Sequence, residues 1–458
     1  MATADVDTVV IGGGMAGLPL SIRASRQGRT VLVERGRLGG TCLNRGCIPT
    51  KTMIASAKVA HTVRRAAEFG VHAGEEVRVD LGEVVDRKDR VVDSIRDGSY
   101  RAVERAEALT LVERTALFLG PQEVEADGTL YRARRVVVNT GARPRIPDLP
   151  GLEEVPYLDS TSALDLRELP QHLVVVGGGY VGCEFAQMYR RFGARVTVLQ
   201  RPERLLPTED PEVSQVIGEV FAREGIGVRL GSPPEWVRRE GDRIRVGVAG
   251  EELSASHLLV AAGRVPNTEN LGLAKAGVEI DQEGFVRVGP DYRTSAEGVY
   301  AIGDVVGPPM FTHSARDDAA LLSRHLLQGE DISHRSRLVP HAVFTDPEVG
   351  TVGVSEGEAQ ERWDGEALVG TERFRGVARA RAMGETDGLV KLVASPERLL
   401  VGATICGPDA GNLIHELVVA VTAGLTVDQV ADALHVHPTL AEAVNAAAGG
   451  VHRPTTEQ

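Results

Sequence analysis

The sequence predicts an α/β chain of two Rossmann-like units followed by a C-terminal α+β domain. Three observations carry this reading: a strand, glycine turn, helix and strand at the start; a second copy of that unit from Leu173; and a change of character after about Val339. At 458 residues the chain can bury several cores. Its 51 Lys and Arg stand against 64 Asp and Glu, a net charge of −13, so no general cationic field exists for a phosphate backbone or an anionic membrane surface. Aromatic residues at 4% leave few platforms for stacking bases. Nucleic acid is therefore not an expected partner. Apolar residues at 42% and charged ones at 25% are ordinary for a globular protein and exclude disordered and fibrous classes.

Met1 to Asp7 holds two acids and no base, unlike a signal or transit segment. No apolar run reaches the roughly 18 residues that cross a bilayer. A cytoplasmic protein without membrane contact is expected. Four cysteines (Cys42, Cys47, Cys183 and Cys406) are too few for a secreted disulfide framework.

The first unit reads as a strand at Asp7 to Ile11, a turn from Gly12 to Gly17, a helix towards Gln27 and a strand from Arg29 to Val33. Gly12, Gly14 and Gly17 fit G-x-G-x-x-G, in which one glycine makes the turn, one admits a pyrophosphate and one allows close helix packing. Glu34 follows at about 20 residues, the distance at which an acid meets a ribose. The pattern returns with a strand at Leu173 to Val176, glycines at Gly177, Gly179 and Gly182, a helix to Phe192 and a strand from Arg195 to Leu199. Each copy continues into a charged hairpin and a strand ending in glycine, at Gly141 and at Gly263. This is an internal duplication with two nucleotide sites.

Between the copies, Asp80 to Leu109 fits solvated helices and Pro147 to Pro156 a linker. Gly298 to Asp304 reads as a short strand ending in the Gly303-Asp304 turn. Beyond Val339, strands are expected at Ala342 to Phe344, Val390 to Val393 and Leu400 to Cys406, then apolar helices from Asn412 to Ala448.

The chemistry points to Gly39 to Lys51. Pro49 suits the first turn of the helix that follows, which sets Cys47 near an N-terminus where unpaired amides and the dipole favour a thiolate. With Cys42 five residues earlier, the pair reads as a redox couple; two inert buried cysteines are the plainer alternative. No second closely spaced Cys or His pair lies nearby to complete a zinc site, and no metal is expected. Cys183 and Cys406 read as small core residues.

The segment Gly39 to Lys51, both glycine fingerprints, the Gly303-Asp304 turn and the run His437-Pro438-Thr439 with Glu442 together resemble the class I pyridine nucleotide-disulfide oxidoreductases, which include dihydrolipoamide dehydrogenase, glutathione reductase and mercuric reductase. The likeness spans essentially the whole chain in the family's motif order. It implies an FAD domain over 1–150 continued by 268–338, an NAD(P) domain over 151–267 and a dimerisation domain over 339–458. Glu34 would meet the adenosine ribose of FAD and Asp304 the ribityl chain. Cys47 would be the charge-transfer thiolate facing the isoalloxazine, and Cys42 the thiol that attacks a small disulfide substrate.

The resemblance further implies a Lys51–Glu184 ion pair beside the reactive flavin nitrogen and Tyr180 as a gate over the nicotinamide pocket. His437, steadied by Glu442, would be the acid/base that reaches the disulfide from the other subunit of a homodimer. His435 lacks the matching position and reads as structural.

Three departures stand out. Gln200 takes the place where NAD-using members usually carry Glu, and with Arg201 and Arg204 beside it NADPH is favoured over NADH. Arg45 stands between the cysteines where an apolar residue is common; a thiolate, an anionic substrate or solvent could each be its partner. Phe311 to Asp318 and Arg379 to Gly388 look closer to the mercuric reductase branch, yet no cysteine follows Cys406 to form that enzyme's C-terminal pair, and no metal-binding domain precedes the first strand; mercury is not expected as the physiological substrate. Competing readings are a flavoprotein that reduces a quinone, metal ion or oxygen, and a subunit that binds nucleotide for assembly alone.

Overall fold

The computed structural model describes residues 2–72, 74, 77–335 and 337–454. The first strand, Ala2–Ile11, pairs in parallel with Thr30–Val33 on one side and with Thr129–Val138 on the other, at the centre of a seven-stranded sheet. Valines, leucines and isoleucines without an apolar/polar alternation fit a strand covered on both faces, and Val9, Val10, Val31 and Leu32 are buried. The charged hairpin Glu123–Ala126 and Thr129–Val138 forms, with Leu117–Gly120 added antiparallel at its edge. Val299–Ala301 returns from much later in the chain to pair with Val136 to Val138, which brings the Gly303-Asp304 turn to the same end as Gly12.

The second unit is a five-stranded parallel sheet: Gly227–Arg229, Arg195–Leu199, His172–Val176, His257–Val260 and Tyr157–Leu158. Its charged hairpin carries a third strand, Glu251–Ala255. The expected linker is no free tether: Leu149, Leu152 and Val155 are buried with Val174, Val237 and Ile244 in the core of this unit. The apolar spacing in that proline-rich stretch outweighs its loop composition.

The C-terminal domain is a five-stranded antiparallel sheet in the order His341–Val343, Glu348–Gly353, Leu400–Gly407, Leu389–Ala394, Leu368–Arg373. Glu348–Gly353 and Leu368–Arg373 were not among the expected strands, since glycine and charged residues interrupt both. The apolar helical region divides into Ala410–Thr422, Val427–Asp432 and Glu442–Gly449, which leaves 433–441 as a loop. Ile414, Leu417 and Val444 pack on Val390 and Ile405 of the sheet.

The helix Cys47–Arg64 lies where the three regions meet. Its Met53 and Ala57 share one buried cluster with Phe185 and Tyr189 of the second unit and with Val349 and Leu389 of the C-terminal sheet. Burying Met53 alone is worth about 1.5–3 kcal/mol, so the thiol-bearing helix is clamped by the whole fold. No helix among the described residues is long and apolar enough to cross a membrane.

Candidate active site

A cleft of about 1330 Å³ runs from the first glycine turn to the edge of the C-terminal sheet. Gly12, Gly14, Glu34, Cys42, Cys47, Lys51, Gly141, Tyr180, Glu184 and Asp304 all line it. Residues from four distant stretches of sequence thus share one cavity.

The glycine turn is built by close approach. Gly12 has φ +106, and a Cβ there would stand 2.2 Å from the Asn139 carbonyl oxygen; a Cβ on Gly17 would stand 2.0 Å from the Gly12 carbonyl oxygen. Gly14 differs, since its nearest neighbour is 3.5 Å from such a Cβ, so the turn is open on the cleft side. Glu34 accepts hydrogen bonds from the Gly13 and Gly36 amides, each at 2.7 Å, which ties the end of the second strand to the turn.

Asp304 is pushed above its ordinary range by burial, with Arg264 opposing. Arg264 brings a buried Nε that has no hydrogen-bond partner to the same cavity. An open glycine turn at a helix N-terminus, an orphaned guanidinium donor and room for a molecule beyond ordinary drug size fit a dinucleotide such as FAD.

Cys42 lies on a short helix, Gly40–Arg45, and Cys47 is the first residue of the next, Cys47–Arg64. Both are free thiols. The hydrogen bond from Cys42 lowers Cys47 to about 6 against the opposition of burial, helped by Thr312, whose Oγ1 lies 3.4 Å from the sulfur, and by the Lys51 charge. The same hydrogen bond and burial push Cys42 upward. The two shifts are opposed, which makes Cys47 the more acidic thiol of the pair.

Lys51 donates to both oxygens of Glu184, at 2.9 and 2.8 Å, and sits 4.6 Å from the centre of the Phe344 ring. Glu184 also accepts from the Phe344 amide at 2.9 Å, so a nearly buried carboxylate is held by three hydrogen bonds from two donor groups. Cys183 and Cys406 are fully buried, and burial raises both thiols. Among the described residues no group of three or more His, Cys, Asp or Glu side chains is gathered for a metal ion.

The glycines of the second fingerprint do not line the large cleft, although Tyr180 and Val181 between them do. Gln200 is buried; its Oε1 accepts from the Gly178 amide at 2.8 Å and its Nε2 donates to the Arg204 carbonyl at 3.1 Å. Arg201 is exposed, and Arg204 donates to the Pro207 carbonyl at 2.7 Å. Gly179 faces open space.

His437 is likewise outside the cleft. Its side chain is 72% exposed, and Nδ1 lies 2.9 Å from Glu442 Oε1, while the other Glu442 oxygen accepts from the Thr439 amide. The hydrogen bond with His437 and that amide hold the Glu442 carboxyl below its ordinary range. His435 instead pairs with Glu416 at 2.8 Å.

A model of the pyridine nucleotide-disulphide oxidoreductases matches residues 6–319, and one of their dimerisation domain matches 339–448. The chain belongs to this family. It is 36% identical over 444 residues to dihydrolipoyl dehydrogenase of Chlamydia muridarum, covering 95% of this chain and 94% of the relative. It is 36% identical over 451 residues to mercuric reductase of Lysinibacillus sphaericus, covering 96% and 82%. Among solved structures, the HOCl-induced flavoprotein disulfide reductase RclA of Escherichia coli superposes with a TM-score of 0.89 at 29% identity, over 97% of this chain and 99% of that one; it has also been solved as a Cu(II) complex. As a member of this family, the protein is a flavoprotein NAD(P)H-dependent disulfide oxidoreductase with a dimerisation domain, and the family implies FAD and a nicotinamide nucleotide.

Several site residues had no role assigned from the sequence, although Thr312 and Asp318 lie in the stretch Phe311 to Asp318. Asn139 donates to the Gly12 carbonyl at 3.1 Å. Asp318 accepts from the Gly303 amide and the Tyr292 hydroxyl, and so sets the turn that carries Asp304. Thr312 touches Cys47. Each acts across more than ten residues of chain, which no local pattern encodes.

Proposed function

We propose that the protein is a homodimeric NADPH:disulfide reductase in which the partner subunit's His437 completes each active centre. The carrying observation is that the His437–Glu442 pair stands outside its own chain's cleft, on a loop that also exposes Leu434 and Val436, 101% and 74% accessible. Apolar side chains so exposed beside a dimerisation domain's histidine suit burial against a second copy.

Bound FAD supplies the transfer of an electron pair from the nicotinamide hydride to the Cys42–Cys47 disulfide; Glu34 and Asp304 would hold its ribose and ribityl hydroxyls, and Lys51 would stand at its reactive nitrogen. In the reduced pair Cys47 is the thiolate and Cys42 keeps its proton. Cys42 therefore needs a base before it can attack, a role suited to the partner subunit's His437, with Glu442 holding the imidazole in one tautomer. The Cys42 thiolate attacks one substrate sulfur, and the imidazolium protonates the departing thiolate. Cys47 then displaces the second substrate thiol from Cys42 and restores the disulfide. Two electrons and the proton of Cys42 thus pass to the substrate, and a proton taken up from solvent completes the second thiol.

Gln200 beside Arg201 favours a 2′-phosphate, since a carboxylate at that position would repel it. The substrate class is a small disulfide. His437→Ala tests the reading: disulfide turnover should fall about 10²-fold with flavin reduction by NADPH unchanged, and heterodimers of a Cys42→Ser chain with a His437→Ala chain, whose homodimers are both impaired, should recover about half of the wild-type dimer's activity because one of their two sites is then intact. A second reading, reduction of a quinone, metal ion or oxygen, draws support from the Cu(II) complex of the Escherichia coli relative. It would be favoured if Cys42→Ser kept acceptor reduction.

A further inference from the structure

A buried cluster outside the thiol centre joins the second unit to the C-terminal sheet. The Tyr180 hydroxyl donates to Glu209 Oε1 and lies 3.1 Å from Thr208 Oγ1 and 3.2 Å from His341 Nε2. His341 Nε2 is 2.8 Å from the same Glu209 oxygen, and Thr351 donates to the other at 2.8 Å. The Glu209 side chain is wholly inaccessible to solvent, yet it meets three donors from three elements. Burial opposes its ionisation, but the hydrogen bonds from His341, Tyr180 and Thr351 prevail and hold its carboxyl below the ordinary range. A buried carboxylate is costly unless paired in this way.

The cluster is also a ring stack. His341 lies 5.6 Å from Tyr180 and 5.4 Å from Phe311, with the Phe311 and His341 planes 4° apart. Phe311 precedes Thr312, which touches Cys47, so the stack extends from Tyr180 to the thiols along the cleft wall. The carboxylate at its base is itself anchored. Lys391 of the C-terminal sheet pairs with Asp210 at 2.9 Å and with Glu212 at 2.8 Å, and Arg373 pairs with Glu212 at 2.8 Å.

We propose that Glu209 and His341 are positioning residues that hold the Tyr180 phenol against the cleft wall and thereby keep the path of the nicotinamide ring to the flavin clear. This rests on the reading of Tyr180 as fronting the nicotinamide pocket. A phenol freed from its carboxylate can turn into the cleft and compete with the incoming ring. The Tyr180 phenol makes no hydrogen bond to either thiol, so the thiol–disulfide half-reaction should not depend on it.

The test is stopped-flow reduction of the FAD-loaded enzyme by NADPH and, separately, NADH, in Tyr180→Phe, Glu209→Gln, His341→Phe and the double variant Tyr180→Phe/Glu209→Gln. Glu209→Gln and Tyr180→Phe should each raise the nicotinamide concentration for half-maximal flavin reduction about tenfold, the loss of one charge-assisted hydrogen bond, with the limiting rate kept. The double variant should be no worse than either single one, because Glu209 acts through Tyr180. Additive losses, or losses in the disulfide half-reaction alone, would overturn the proposal. If Tyr180→Phe slows flavin reduction while Glu209→Gln and His341→Phe do not, the anchor is refuted and the gate survives. If Tyr180→Phe itself leaves nicotinamide kinetics untouched, the reading of Tyr180 falls and the proposal with it. Should Glu209→Gln fail to fold, the cycle of Tyr180→Phe with His341→Phe, which keeps a ring in the stack, decides the same question.

Discussion

The two dinucleotide units repeat one loop closely, yet only the first has its glycines on the cleft that holds the thiols. The third glycine of each lies against the carbonyl of the first, with a Cβ at 2.0 Å for Gly17 and 1.8 Å for Gly182. The middle of each turn packs on a leucine, Leu38 or Leu205, and receives a side-chain oxygen from the strand end, Glu34 or Gln200. The difference is what surrounds the loop. In the first unit the outer parallel strand is Val299–Ala301, which delivers Gly303 and Asp304; in the second it is Tyr157–Leu158, from earlier in the chain. Closely similar turns thus acquire different surroundings according to which distant segment completes the sheet.

The side chain at the strand end sharpens the contrast. Glu34 can only accept and takes two amides. Gln200 accepts one amide and donates to the Arg204 carbonyl, which draws the following loop inwards. An amide there therefore does structural work that a carboxylate cannot, besides its effect on nucleotide choice.

The sharpest way to break this division is Cys42→Ser: disulfide turnover should vanish from a steady-state assay while NADPH still bleaches the flavin. Full turnover would mean that the first unit's thiols are not the exchange centre. Next are the turn glycines. Gly12→Ala and Gly177→Ala each force a Cβ into a carbonyl at φ beyond +100, a strain of about 1–3 kcal/mol. Gly12→Ala should purify with little yellow colour, whereas Gly177→Ala should keep its flavin and lose reduction by nicotinamide. Colour loss in both would show that the units do not bind separately.

A smaller effect is expected for Gln200→Glu, which should move the ratio of kcat/KM for NADPH over NADH about tenfold towards NADH, or about 1.4 kcal/mol. An unchanged ratio would put nucleotide choice elsewhere in the loop. Smallest is the pH response of the reduced pair. Cys47 lies below its ordinary value, so its thiolate is present above about pH 6 and is lost as pH falls through that value. The long-wavelength thiolate-to-flavin absorbance should fade with an apparent midpoint near 6, and Thr312→Val should move that midpoint upward, because a hydrogen bond to the thiolate is lost.

Both glycine turns, the thiol pair at a helix start and the three-part order of the chain are legible from residue types and spacing, because each depends on contacts within about 20 residues. Cys47 is the first residue of its helix, as Pro49 foretold. The strands Glu348–Gly353, inside the C-terminal sheet, and Leu368–Arg373, at its edge, are not legible in the sequence because cross-strand partners, not propensity, stabilise them. The supposed linker at Pro147 to Pro156 was misread for the opposite reason: its prolines mask three buried apolar side chains.

What the sequence determined alone is the chemistry on offer: two glycine turns of the kind suited to phosphates, a pair of thiols and a histidine with its carboxylate. What the tertiary structure decided is which of these meet. The Lys51–Glu184 pair spans more than 130 residues, Asp304 reaches the first turn only because its strand returns to the first sheet, and Glu209 meets His341 across a domain junction. Local spacing cannot encode such pairings, since they are selected by the burial of helix Cys47–Arg64 among all three regions at once.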